Sequence, residues 1–90
     1  MLLVSYDISD NKLRTKFSKY LQKYGERLQY SMFEIKNSER VLVNIETQIE
    51  QYFKKRFLQD DSIMIFHMSR QCKITRYGYA KNQEKDVLIF

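Results

Sequence analysis

Leu2-Leu3-Val4-Ser5-Tyr6-Asp7-Ile8-Ser9-Asp10 reads as an apolar strand that breaks into a turn a few residues after Met1. Residues 2–8 place Leu2, Val4, Tyr6 and Ile8 on one face and Leu3, Ser5 and Asp7 on the other. A strand apolar on most of both faces belongs in the middle of a sheet. Asp7 stands where that strand runs out. A carboxylate there is held rigidly, partly desolvated and close to the surface, where chemistry or a cation is often placed. The plainer use of Asp7 or Asp10 is to cap the following helix, since Asp is a favoured N-cap residue. Position alone favours the cap.

Ser9-Asp10-Asn11 leads into a helix expected to run to about Tyr24. Leu13, Phe17, Tyr20, Leu21 and Tyr24 recur at helical spacing as one apolar stripe. Lys12, Lys16, Lys19 and Lys23 fall on the flank of that stripe, within an arc of about 60°. From Asn11 to Arg27 there are six basic residues and one acid, Glu26. A helix that only needs to be soluble usually mixes signs, so an acid-free row of four lysines points to an anionic partner, against the alternative of a solvated face. Gly25 then sits where a C′ residue is expected.

In Arg27–Lys36 the apolar parity switches around Ser31, which predicts a bulge there or a break into two short strands. Residues 40–45 admit a strand, but Leu42, Ile45, Ile49, Tyr52 and Phe53 keep a helical period and the strand alternation fails at Val41-Leu42-Val43. The helix, roughly 39–57, is the better reading. Lys54-Lys55-Arg56 at its end are explained by the helix dipole. Asp60-Asp61 make a turn into a central strand, Ser62 to Met68, and Lys73 to Gly78 make a short further strand. Asp86-Val87-Leu88-Ile89-Phe90 is too apolar for water and is expected to add a strand to a sheet.

Strand, helix, broken strand, helix, strand is the order of a two-layer α+β sandwich of the ferredoxin-like kind, βαββαβ with β2 and β3 short or merged. The domain is expected to span 1–78, with 79–90 a tail whose strand 86–90 joins a sheet, in its own chain or a partner's. Both helices then cover one sheet face. Ninety residues bury a modest core, and the bare face calls for a homodimer.

A hydrophobic fraction of 43 % excludes a disordered chain, and a net charge of +5 favours nucleic acid ahead of an anionic membrane. Cys72 and His67 are each the only residue of their kind. One chain therefore has no disulfide and no conventional His/Cys metal site, so any metal is a hard cation held by oxygen. His67 reads as a packed histidine, not a ligand. No membrane span or N-terminal signal is visible, which predicts a cytoplasmic protein.

Val-Ser-Tyr-Asp-Ile-Ser-Asp at 4–10, Arg14 in a basic helix, and Tyr24-Gly25-Glu26-Arg27-Leu28-Gln29-Tyr30-Ser31-Met32-Phe33-Glu34 strongly resemble the small CRISPR-associated endonuclease family, partner of the CRISPR integrase in acquiring new spacers. The resemblance runs nearly the full length. It implies a ferredoxin-like homodimer in which the C-terminal strand of one subunit joins the other's sheet. It also implies that Asp7 faces its twin across the two-fold axis, the pair holding Mg²⁺ or Mn²⁺. Asp7 and Ser31 would then be catalytic residues of a phosphodiesterase acting on RNA or double-stranded DNA. Arg14, Arg27 and Ser31 match signature positions and would bind or orient phosphate. The role implied beside nuclease activity is a scaffold that holds double-stranded DNA between integrase dimers. Lys12, Lys16, Lys19, Lys23, Arg70, Lys73 and Arg76 would grip its backbone, since lysines read charge and not sequence. Without the resemblance, the competing expectation is a small ferredoxin-like interaction module of the toxin–antitoxin kind.

Overall fold

The computed structural model describes residues 1–68 and 73–78. The tail 79–90 with its expected strand 86–90, together with Arg70 and Cys72, lies outside the described residues. The elements are β1 (Leu2–Asp7), α1 (Asn11–Gln22), β2 (Gly25–Gln29), β3 (Met32–Ile35), α2 (Glu39–Gln48), β4 (Ser62–His67) and β5 (Lys73–Gly78). The strands form one antiparallel sheet in the order β2-β3-β1-β4-β5. That is the ferredoxin-like α+β arrangement with one strand added beyond β4.

β1 is the central strand of the five. Its even residues Leu2, Val4 and Tyr6 are buried, and Ile8 continues that side into the loop. Against them lie Leu13, Phe17 and Leu21 of α1 and Ile45, Ile49 and Phe53 of the second helical segment. The ring of Phe17, fully buried, meets Tyr6 edge-on at 5.2 Å and Phe53 at 4.8 Å. Both helices therefore cover the same face. The opposite face carries Leu3, Met32, Met64, Phe66 and Ile74, all only half-buried among the described residues.

The helical reading of 39–57 holds, and strand 40–45 is ruled out. α2 starts on Ser38, whose hydroxyl accepts from the Val41 amide, and passes through a π-helical turn (Ile49–Phe53) into a 3₁₀ turn (Lys54–Arg56). The π turn has a packing cause. Ile45, Ile49 and Phe53 follow one another every four residues. In a 3.6-residue helix each such step drifts by about 40° off the contact line, and one wider turn cancels that drift.

The hairpin accounts for the parity switch at Ser31. β2 and β3 are separate strands joined at Tyr30-Ser31, and a bulge between Arg27 and Gln29 displaces Leu28. The end of α1 is a correction. The helix stops at Gln22 with Lys23 as its cap, so Gly25 is not a C′ residue but the first residue of β2. Its need for glycine is space, because a Cβ there would strike the Glu34 carbonyl of β3. Gly78 needs glycine on two counts: a Cβ there would strike the Asp61 carbonyl, and its φ is +94°, a region that side chains disfavour.

Candidate strand-end site and cationic helix face

Asp7 is the last residue of β1, exposed, and lies opposite Ser62 of β4. Asp10, three residues on, takes the capping role: its Oδ2 accepts from the Leu13 amide at 2.8 Å. Asp7 is thereby released from the plainer use that position alone favoured. Ser31 lies at the same end of the sheet, where its carbonyl accepts from the Tyr6 amide at 3.0 Å. The structure thus brings Asp7 and Ser31 to one end of the sheet.

The two signature arginines lie close by and hold backbone. Arg14 donates through Nη1 to the carbonyls of Ile8 (3.0 Å) and Ser9 (3.4 Å), and through Nη2 to Asn11 Oδ1. Arg27 donates to the Tyr30 carbonyl at 3.3 Å and to Ser18 Oγ, and its guanidinium lies over the Phe33 ring at 5.3 Å. Arg14 fixes the loop that follows Asp7, and Arg27 fixes the turn that carries Ser31. Both arginines spend hydrogen bonds on the frame around the strand end.

A third clamp escaped the sequence reading, which gave Asp61 only a place in a turn. Asp61 is 2 % exposed. Its Oδ1 accepts from the amide and the hydroxyl of Ser9, both at 3.0 Å, and its Oδ2 from the Leu58 amide at 2.8 Å. A buried carboxylate bonded to backbone amides on two segments ties the β1–α1 loop to the approach to β4. The sequence distance between Ser9 and Asp61 left no local signal for it.

Among the described residues no three His, Cys, Asp or Glu side chains are gathered into a metal cage. One chain offers Asp7 as a single exposed carboxylate, too little to retain a divalent cation that prefers several oxygen ligands. Asp7 does lie on the central strand and on the sheet face that the helices leave open. A two-fold axis along β1 would therefore bring two copies of it together, and the donor set fits a hard divalent ion on that condition.

Lys12, Lys16, Lys19 and Lys23 all stand exposed along α1. Lys23 lies over the Tyr20 ring at 5.8 Å, and burial, aided by Tyr24, pushes the Tyr20 phenol upward. Lys16 donates to the Tyr52 hydroxyl at 2.7 Å. Of the remaining sequence candidates, Lys73 and Arg76 lie on β5, away from this row. Arg76 pairs across the strands with Met64, and Lys73 with His67. His67 packs beside Thr75, its Nε2 being 3.4 Å from that hydroxyl. Burial, then the Lys73 charge, lowers its affinity for a proton, while Glu46 partly opposes them. It behaves as the packed histidine expected. Burial, with Glu46, likewise pushes Tyr77 up to about 12. No helix among the described residues is long and apolar enough to cross a membrane.

The family model described as CRISPR associated protein Cas2 matches residues 1–76. The CRISPR-associated endoribonuclease Cas2 2 of Synechocystis sp. is 35 % identical over 71 residues, covering 79 % of this chain and 74 % of that protein. The CRISPR-associated endoribonuclease Cas2 of Mycobacterium tuberculosis is 32 % identical over 99 % of this chain and 75 % of its own length. Among solved structures, the hypothetical protein TT1823 from Thermus thermophilus is similar with a TM-score of 0.53 and 30 % identity, covering 88 % of this chain and 79 % of that one. With its sheet order, its strand-end Asp7 and a family match across most of its length, the chain belongs to the CRISPR-associated Cas2 family.

Proposed function

We propose that the protein is a homodimeric CRISPR adaptation component that holds double-stranded DNA between integrase dimers, with α1 as its phosphate-facing surface. The observation that carries this reading is the row Lys12, Lys16, Lys19 and Lys23, four exposed cations on one helical flank. Such a row neutralises backbone charge without reading bases, as a scaffold for arbitrary DNA sequences must. The half-buried apolar sheet face supports the dimer, because a second copy would cover it. Charge supports one orientation. Glu26 and Glu34 oppose each other at the β2–β3 edge and Arg76 lies on β5 at the other, so a two-fold along β1 sets acid against base.

The test is duplex binding across a salt series. Replacing all four lysines with Ala is expected to weaken binding and to lower the slope of log K against log salt by about 3 to 4 for each subunit in contact with the duplex. An unchanged slope would overturn the reading.

The names of the relatives, CRISPR-associated endoribonucleases, favour a second activity, hydrolysis of RNA phosphodiesters; we place it at the strand end, with double-stranded DNA as the alternative substrate. The two Asp7 carboxylates of a dimer would hold Mg²⁺ or Mn²⁺, which supplies charge neutralisation on the phosphodiester and activation of water. Asp61, Arg14 and Arg27 keep the loop and turn around Asp7 in one position, and Ser31, at the same end of the sheet, would be the hydroxyl that orients a substrate oxygen. Cleavage is expected to require the divalent ion and to vanish in Asp7→Asn, while duplex binding persists. Cleavage surviving in Asp7→Asn would remove Asp7 from the chemistry.

A further inference from the structure

Two cations converge on one phenol where α1 meets the end of the second helical segment. Tyr52 lies in the π turn, and its hydroxyl accepts from Lys16 Nζ at 2.7 Å, with that ammonium 4.7 Å from the ring centre. Arg56, four residues on, lies over the same ring at 3.8 Å and donates from Nη1 to the Tyr52 carbonyl at 3.0 Å. Neither Lys16 nor Arg56 is ion-paired with a carboxylate among the described residues. Beside them opens a groove of about 470 Å³, with Lys12 on its rim, Leu13 and Leu58 in its wall, and Asp10, whose Oδ2 is engaged as the α1 cap.

The helix dipole explains a cation near residue 56, but Lys54 and Lys55 satisfy it equally. It does not explain why the planar guanidinium is stacked on Tyr52 and bonded to its backbone. That arrangement fixes the fork of Arg56 in advance, beside the ammonium of Lys16. Lys16 keeps N–H groups to donate, Arg56 keeps most of its five, and the Tyr52 hydroxyl keeps its proton. An ammonium and a fixed guanidinium around one opening are complementary to a tetrahedral oxyanion.

We propose that Lys16, Tyr52 and Arg56 form a discrete seat for one backbone phosphodiester, where a nucleic acid lying on the α1 lysine row passes onto the second helical segment. Arg56 and Lys16 contact the phosphate, and Tyr52 positions both. The seat rests on the nucleic-acid reading of α1, and it adds a fixed contact to what would otherwise be a diffuse band of charge.

Duplex binding by wild type, Arg56→Ala, Arg56→Lys, Tyr52→Phe and Lys55→Ala tests it. Lys55 is an exposed neighbour of Arg56, so its removal costs the same charge outside the seat. Arg56→Ala is expected to weaken binding about five- to tenfold and to lower the salt slope by about 0.9, one phosphate's share, for each subunit in contact with the duplex. Lys55→Ala should change affinity less than about twofold, because a cation outside the seat makes no fixed contact. Arg56→Lys should keep the slope and lose affinity, because a point charge replaces the stacked fork. Tyr52→Phe keeps the ring and loses the tie to Lys16.

A pH series gives a readout that mere loss of structure would not move. The hydrogen bond from Lys16, with the Lys16 and Arg56 charges, pulls the Tyr52 phenol below its ordinary value of 10 despite some opposing desolvation. Wild-type affinity should therefore begin to fall at a lower pH than that of Tyr52→Phe, in which loss of lysine charge is the one remaining cause. Equal effects of Arg56→Ala and Lys55→Ala in a duplex-binding wild type would overturn the seat and leave the lysine row standing. A wild type that binds no duplex would overturn both.

Discussion

The end of β1 and the exposed flank of α1 lie within one short stretch of chain and are held in opposite ways. Around Asp7 nearly every neighbour is tied to backbone: Asp10 to the Leu13 amide, Asp61 to Ser9 and Leu58, Arg14 to Ile8 and Ser9, Arg27 to Tyr30. Along α1 the lysines reach solvent from a regular helix, and Lys16 alone of the row is hydrogen-bonded to a side chain of the second helical segment. The difference matches the demands of the two roles proposed above. A carboxylate that must meet a second carboxylate or an ion needs its position fixed to a fraction of an ångström. Cations that follow a polyanion gain from freedom, because the duplex presents charge everywhere along its length.

The largest break of this contrast is expected from Asp61→Ala. It strips the Ser9 and Leu58 amides of a charged acceptor in a buried setting and should cost about 3 kcal/mol of folding stability, read by urea denaturation. A cost below about 1 kcal/mol would mean that the strand end is not held from this side. Arg27→Ala comes next, at about 1 to 2 kcal/mol, since it removes hydrogen bonds to Tyr30 and Ser18 and the stacking on Phe33 while water can reach the vacated groups. Lys19→Ala should be smallest, within about 0.5 kcal/mol, because an exposed helical lysine contributes little to folding. If Lys19→Ala proved as costly as Arg27→Ala, the two surfaces would not differ in the way described.

Local chemistry made much of the fold readable in advance. The alternation in 2–8, the cap at Asp10, the parity switch at Ser31 and the four-residue spacing of Ile45, Ile49 and Phe53 each act over a few residues, and each produced the element expected. Gly25 was misread because a helix C′ position and a close strand crossing ask for the same residue. Only the position of the Glu34 carbonyl separates the two. Asp7, Ser31 and the lysine row were visible as candidates. The Asp61 clamp and the Lys16–Tyr52–Arg56 cluster were not, because their partners lie 52 and 36 residues apart and meet only once the layers have packed. Arg56 had a sufficient local explanation in the helix dipole, which hid its stacking on Tyr52.

The two edges of the sheet also differ. At β2 the rungs shift at the Arg27–Gln29 bulge, whereas β5 pairs with β4 through six rungs in unbroken register. A bulged edge is a poor template for another strand, and a regular one is a good template. A sheet with two good edges can polymerise, each chain offering what the next accepts. With one edge spoiled, strand addition stops after a single recruit, and among the described residues β5 is the edge that keeps this capacity. In a domain with little core to spare, that asymmetry confines growth by strand addition to one side of the described sheet.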